Sequence, residues 1–280
     1  MYADYLTDIT DQLPDVIAFS KMHGLGNDFV IIDQREVEFP LTPEVVKKIC
    51  DRNFGVGCDQ LIILRKSDNF DCQMLIFNPD GSIARACGNA CRCVGMMLDQ
   101  DEISIQIHDR VVKVWKKSDG LFSVNMGVPL CKWYEIPLRS EIDPMNITFD
   151  EFGGKLGASV SVGNPHLVFF EKNADLAEVI SQGEEFERHP LFPDRVNVNF
   201  AYIKDEGNIE LMVWERGVGP TLACGSGASA THFIAHHKGL VGSKSNIHQR
   251  GGRLIVETAD DGSIMMTGAA SKVFTGKLNR

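Results

Sequence analysis

The sequence predicts an α+β fold in two halves of like design. Strand-like and helix-like runs alternate among many glycines, and each half reads as a set of strands followed by one central helix. Those two helices open on nearly the same residues, Ala-Cys-Gly-Asn-Ala at 86–90 and Ala-Cys-Gly-Ser-Gly at 223–227.

In the first half, the apolar runs Ile17 to Ser20 and Phe29 to Asp33 read as strands around a polar loop at 21–28, Lys-Met-His-Gly-Leu-Gly-Asn-Asp. Pro43 to Asp51 reads as a helix, with Thr42 as N-cap and proline at the first position, where its missing N–H costs nothing. Strands are expected at Leu61 to Arg65, Cys72 to Asn78, Ile103 to His108, Val111 to Lys116 and Leu121 to Met126, with Cys87 to Leu98 as the central helix. The second half repeats the pattern. Strands are expected at Ser159 to Val162, His166 to Glu171, Val196 to Ile203 and Ile209 to Trp214, then a helix from Gly225 to about His237, then strands Leu254 to Thr258 and Ile264 to Thr267. The linker is placed within Cys131 to Asp150, where Pro137, Pro144 and acidic residues break the periodicity. That gives an N-terminal extension at 1–15, a first domain over 16–132 completed by a last strand at 268–280, and a second domain over 133–267.

A chain of 280 residues, 44% hydrophobic and 24% charged, can bury a full core. Its net charge of −10 argues against nucleic acid or an anionic membrane surface as partner. No apolar run approaches the length of a membrane span, and the acidic, polar start is unlike a signal peptide, so a cytoplasmic location is expected. The eight cysteines should then stay reduced. Cys87, Cys91 and Cys93 do not have a usual zinc spacing, and His232, His236 and His237 lack a further ligand, so no metal is expected and the histidines read as a partly exposed helix face. Cys50, Cys58, Cys72, Cys93 and Cys131 read as small buried hydrophobes.

Cys87 and Cys224 are different, because each should stand at a helix N-terminus. There the partial positive charge and free N–H groups ease thiolate formation and bind carboxylates. Inverting a carbon centre requires a proton to leave one face and another to arrive on the opposite face. Two thiols, one as base and one as acid, meet that need. The backbone N–H groups of Gly88, Asn89, Gly225 and Ser226 can donate to a carboxylate on the reacting carbon and stabilise the charge that develops there.

The segments KMHGLGNDFVIID, FGVGCDQ, FNPDGSIARACGNACRC, SVGNPHLVFF, RVNVNFAYI and WERGVGPTLACGSGASA occur in this order, and together they resemble the diaminopimelate epimerases. The resemblance implies two pseudo-symmetric domains, each a β-sheet wrapped around a central α-helix, with the active site in the interdomain cleft. It implies a homodimer of bacterial lysine and cell-wall precursor synthesis that needs no cofactor and takes diaminopimelate as its small-molecule substrate. Cys87 and Cys224 become the catalytic thiols, with His166 and Glu215 modulating their protonation. The distal end of the substrate falls to Asn27, Asn78, Asn164, Asn197 and Arg216, with Glu215 facing an ammonium and Gln60 as a further polar contact. The chain departs from the family pattern at Ala90, at Cys91, which adds a thiol one turn from Cys87, and at Ser229. The alternatives are a racemase of the same fold acting on another amino acid such as proline, a catalytically silent binding protein, and a thiol-redox or zinc protein.

Overall fold

The computed structural model describes residues 14–173 and 176–279; nearly all of the expected extension at 1–15 lies outside them. The chain divides into two compact units, one running to Phe122 and resuming at Ala269, the other Ser123–Gly268. The division falls ahead of the Pro-containing stretch where the sequence placed it. That stretch is already part of the second unit: Leu130 bridges Ser161, and Ile136 and Leu138 are buried in its core.

The first unit contains β1 (Val16–Gly24), β2 (Asn27–Asp33), α1 (Pro43–Cys50), β3 (Gln60–Arg65), β4 (Cys72–Phe77), β5 (Ile83–Ala84), α2 (Gly88–Leu98), β6 (Glu102–Ile107) and β7 (Arg110–Lys116), and the chain's last strand, β18 (Ser271–Asn279), pairs with β1. β2 and β3 run parallel, while β1–β2, β3–β4 and β6–β7 are antiparallel. β2, β3 and β4 are buried on both faces, which explains why they read as continuous apolar runs. One face, with Val30, Ile32, Leu61, Ile63 and Leu75, packs on Val46, Ile49 and Cys50 of α1. The central helix α2 is buried from Asn89 through Gly95 and packs on β1, β6, β7 and β18. Thr42 caps α1 as expected, its hydroxyl accepting from Val45 N. The polar stretch at 21–28 is not a loop. It is strand except for Leu25-Gly26, whose φ values of 58° and 88° form a tight two-residue turn of the kind that matches strand twist.

The second unit contains β8 (Phe122–Asn125, which begins at the division), β9 (Ile147–Phe149), β10 (Lys155–Ser161), β11 (Pro165–Phe170), α3 (Leu176–Glu187), β12 (Asn197–Asp205), β13 (Asn208–Glu215), β14 (Gly219–Pro220), α4 (Gly225–His237), β15 (Lys244–Gln249), β16 (Gly252–Thr258) and β17 (Ile264–Gly268). β11 and β12 pair in parallel, His166 opposite Asn197 and Val168 opposite Asn199. Leu167, Phe169, Val198 and Phe200 therefore share one face, where they meet Val179 and Phe186 of α3. His166, Asn197 and Asn199 lie on the other face, on the side of α4, which packs on β10, β11 and β12. Like α2, α4 is buried nearly all round. β9, α3 and β15 were not expected from the sequence. In α3 the glycine and glutamates of Gln-Gly-Glu-Glu mask the helical period, yet Gly183 is required because an added Cβ would lie 2.6 Å from the Trp214 ring.

No described helix is long and apolar enough to cross a membrane.

Candidate active site

In the first unit, Asn27 opens β2, Gln60 opens the parallel β3 and Asn78 follows the antiparallel β4, so the strand directions bring all three to one end of the sheet. Gln60 Nε2 donates to Asn78 Oδ1 at 3.1 Å, and Asn78 Nδ2 donates to Ser82 Oγ at 3.0 Å. Cys87 is the N-cap residue of α2, half-buried, with extended backbone at φ −157° and ψ 97°, and its thiol makes no capping hydrogen bond. The Sγ lies 3.8 Å from Asn27 Oδ1, which also accepts from Asn89 Nδ2 at 3.0 Å. Cys87, Asn27 and Asn89 thus form one hydrogen-bonded group. Asp59 fixes Asn27 from behind, accepting its Nδ2 at 2.9 Å, and Arg52 bridges Asp59 and Asp28 at 2.7 Å each. The Asp28 carboxyl is held below the usual carboxylate range by Arg52 and Lys21, whose bonds outweigh its partial burial.

In the second unit, Cys224 caps α4, 4% exposed, its Sγ accepting from Gly227 N at 3.4 Å and lying 3.5 Å from Ser226 Oγ. Its backbone N–H donates to Gln249 Oε1 at 2.8 Å. Burial first, and then the neighbouring Glu215 carboxylate, push this thiol well above its ordinary pKa, so it holds its proton. Glu215 in turn accepts from Thr221 Oγ1 at 2.6 Å. Arg216 follows at the end of β13, exposed, its backbone N–H given to Asn197 Oδ1 at 3.0 Å and its Nη1 to Asp194 O at 2.9 Å. Asn197 also donates to Pro165 O at 2.8 Å, so this asparagine ties the β11 start to the Arg216 backbone. His166 is fully buried, with Nε2 3.1 Å from Asn164 Oδ1 and Nδ1 3.2 Å from Asn199 Nδ2. Burial pushes its pKa down to about 3, keeping it neutral. Both ring nitrogens are thus engaged with asparagines.

The reading of the α4 histidines is corrected at one position. His232 is not on an exposed face: it is completely buried, its ring nitrogens each 3.1 Å from the Ser245 and Thr258 hydroxyls. Cys91 is 1% exposed and packs in the core. Ser229 is buried and donates back to Gly225 O at 2.9 Å. Among the described residues, no group of three or more His, Cys, Asp or Glu side chains is placed to hold a metal ion. Sequence reasoning missed the residues behind the site: Asp59, Glu187, Asn199, Thr221 and Gln249. Of these, Asn199 had a signal, since strand alternation places it on the face of Asn197.

Among solved structures, the fold is shared by a hydroxyproline epimerase from Agrobacterium vitis with bound trans-4-hydroxy-L-proline (TM-score 0.69, 14% identity, 96% of this chain and 92% of that chain). It is shared as well by a phenazine biosynthesis protein of the PhzF family from Bacillus anthracis (TM-score 0.65, 12% identity, 95% of this chain and 99% of that chain). These likenesses show the fold, an α+β fold shared with a hydroxyproline epimerase and a PhzF-family protein. Within that fold, the family model for diaminopimelate epimerase matches residues 19–130 and 158–273. A diaminopimelate epimerase from Sphingopyxis alaskensis is 45% identical, covering 92% of this chain and 96% of its own, and one from Azoarcus sp. is 43% identical, covering 94% and 98%. The chain belongs to the diaminopimelate epimerase family, a family of isomerases.

Proposed function

We propose that this protein interconverts LL- and meso-2,6-diaminopimelate by proton transfer between two thiols and one α-carbon, with no metal, pyridoxal phosphate or nucleotide. The observation that carries the reading is the repeated placement of a cysteine as N-cap of a buried helix, Cys87 on α2 and Cys224 on α4. The two thiols are not equivalent. Cys224 is buried beside Glu215 and keeps its proton, so it serves as the acid in the direction in which Cys87, once it has given up the proton it directs at Asn27 Oδ1, serves as the base.

In one turnover the Cys87 thiolate takes the α-proton, the C–H electron pair passes into the adjacent carboxylate as enediolate-like charge, and Cys224 returns a proton from its own S–H on the opposite face. The enzyme ends with Cys87 protonated and Cys224 ionised, ready for the reverse reaction. N–H groups of Gly88, Asn89, Gly225 and Ser226 meet the developing charge, in low-dielectric surroundings where such donors are each worth about 3–4 kcal/mol. Arg216 presents a planar fork to the distal carboxylate, and Glu215 meets the distal ammonium. Asn27, Gln60, Asn78 and Asn164 complete the contacts, while Asn197 acts chiefly by holding the Arg216 backbone. The reading extends to a cytoplasmic homodimer that supplies lysine and peptidoglycan precursors.

The test is incubation with LL-diaminopimelate in deuterated water. Formation of the meso isomer with deuterium at the α-carbon is expected. Failure of the purified protein to produce either overturns the proposal.

A further inference from the structure

A buried amide on β12 fixes the donor and acceptor sense of a chain of side chains that ends at the substrate site. Asn199, completely buried, sets its Nδ2 against two backbone carbonyls, Leu167 O at 2.9 Å and Asn197 O at 3.4 Å. Carbonyls accept only, so the amide cannot be turned over without setting oxygen against oxygen in a dry interior. Its Oδ1 is buried against α4, where an added Cβ on Gly227 would stand 2.5 Å away, and it has no hydrogen-bond partner. The glycine at 227, the second glycine of the Cys-Gly-Ser-Gly motif, is what lets the amide lie this way.

The orientation propagates. With Nδ2 facing it at 3.2 Å, His166 Nδ1 must be the acceptor, so the single ring proton of the neutral imidazole is on Nε2. Nε2–H then donates to Asn164 Oδ1 at 3.1 Å. With its oxygen engaged, the half-buried Asn164 amide is left with its two N–H donors for a ligand.

We infer that Asn199 is a positioning residue for substrate recognition: through the His166 tautomer it commits Asn164 to donate, so that this part of the site takes a carboxylate oxygen and not an ammonium group. Asn199 itself touches no substrate. The inference rests on the epimerase reading only for the identity of the carboxylate, which is the distal one of diaminopimelate. The tautomer follows from this unit alone.

The first measurement is a long-range proton–nitrogen NMR spectrum of the protein labelled with 15N-histidine, in which the His166 signals are assigned by their loss in His166→Gln. A proton on Nε2 and a bare Nδ1 are expected throughout the range from pH 5.5 to 8.5; a proton on Nδ1 overturns the inference without bearing on the activity. The second compares wild type with Asn199→Ala. Without the amide the tautomer is free, and a mixture of the two forms is expected. KM for diaminopimelate should rise about tenfold, the loss of one well-placed hydrogen bond, with kcat changed less than about threefold. An unchanged tautomer in Asn199→Ala overturns the inference whatever KM does, because the residue would then be acting by packing alone. A mixed tautomer with unchanged KM also overturns it. Where Asn199→Ala does not fold, the wild-type spectrum decides. A wild type that does not turn over diaminopimelate refutes the proposed function and leaves the tautomer to be judged by NMR.

Discussion

Replacement of Glu187 by glutamine tests how the Arg216 segment is held. Glu187, at the end of α3, is 3% exposed and accepts from Trp214 Nε1 at 2.7 Å through one oxygen and from Gly217 N at 3.0 Å through the other. Its third partner, Arg195, is half exposed at 3.4 Å and adds little. Glutamine is nearly isosteric but has one oxygen. Either Trp214 or Gly217 must then face an NH2 group, losing a charge-assisted bond of about 1.5–3 kcal/mol, and the bond that remains becomes a neutral one. The expected loss is about 3 kcal/mol, or a fall of roughly 6–12 °C in the midpoint of the transition. Because Gly217 follows Arg216, whose other ties to Asn197 and Asp194 persist, KM for diaminopimelate should rise only about three- to tenfold, with kcat little changed. The assays are thermal and urea denaturation and initial rates, with the exposed Glu184→Gln on the same helix as control. A stability loss below about 0.5 kcal/mol, the size of an ordinary surface substitution, refutes the reasoning.

Cys87→Ala or Cys224→Ala should each retain the fold by circular dichroism and lose at least ~100-fold in epimerisation rate, and a near wild-type rate in either would end the two-thiol mechanism. Arg216→Lys should damage turnover of diaminopimelate, and L-lysine and L-proline should be poorer substrates than LL-diaminopimelate by roughly thirty-fold or more, since neither fills the guanidinium fork; comparable rates would favour a proline-type racemase. His166 and His232 are held neutral by burial, with pKa values of about 3 and about 4 against 6.5 in the unfolded chain. Their stabilising contribution is therefore complete above pH 6.5 and falls as the pH drops towards 4, because the unfolded state alone takes up protons, by about 1.4 kcal/mol per pH unit for each histidine. Urea midpoints at pH 7.5 and pH 5 should differ less in His232→Gln than in the wild type, and an equal difference would count against this account.

Elements with a strong local cause were legible. Thr42-Pro43 announces α1 because a hydroxyl cap and a proline without N–H both suit a helix start, and the capping bond to Val45 N is present. β2, β3 and β4 were found because burial on both faces leaves an unbroken apolar run. The hairpin of β1 and β2 reads as a loop because its polar residues are strand residues held by partners from elsewhere in the chain: Asn27 meets Cys87 and Asp59, and Asp28 on the opposite face pairs with Lys21 and Arg52. α3 was hidden because its small residue, Gly183, answers to Trp214 on β13, a contact between residues far apart in the chain. The division between the units was placed late because Pro137 and Pro144 mark turns inside the second unit, where Ile136 and Leu138 are core residues.

The same distinction separates the residues of the site. Cysteine before glycine at a helix start is chemically unusual, so Cys87, Gly88, Cys224 and Gly225 stand out in any reading. Asp59, Glu187, Asn199 and Gln249 are ordinary residues at the ends of ordinary elements, and each acquires its role from one partner brought in by tertiary pairing: Asn27, Trp214, His166 and the Cys224 backbone respectively. Only the parallel register of β11 and β12 sets Asn199 within reach of His166, and nothing in either residue's neighbours along the chain encodes that register. What the sequence displays is therefore the chemistry of the reaction. What it conceals is the set of hydrogen bonds that give the groups of that chemistry their protonation and direction, and these become visible once the strands are paired.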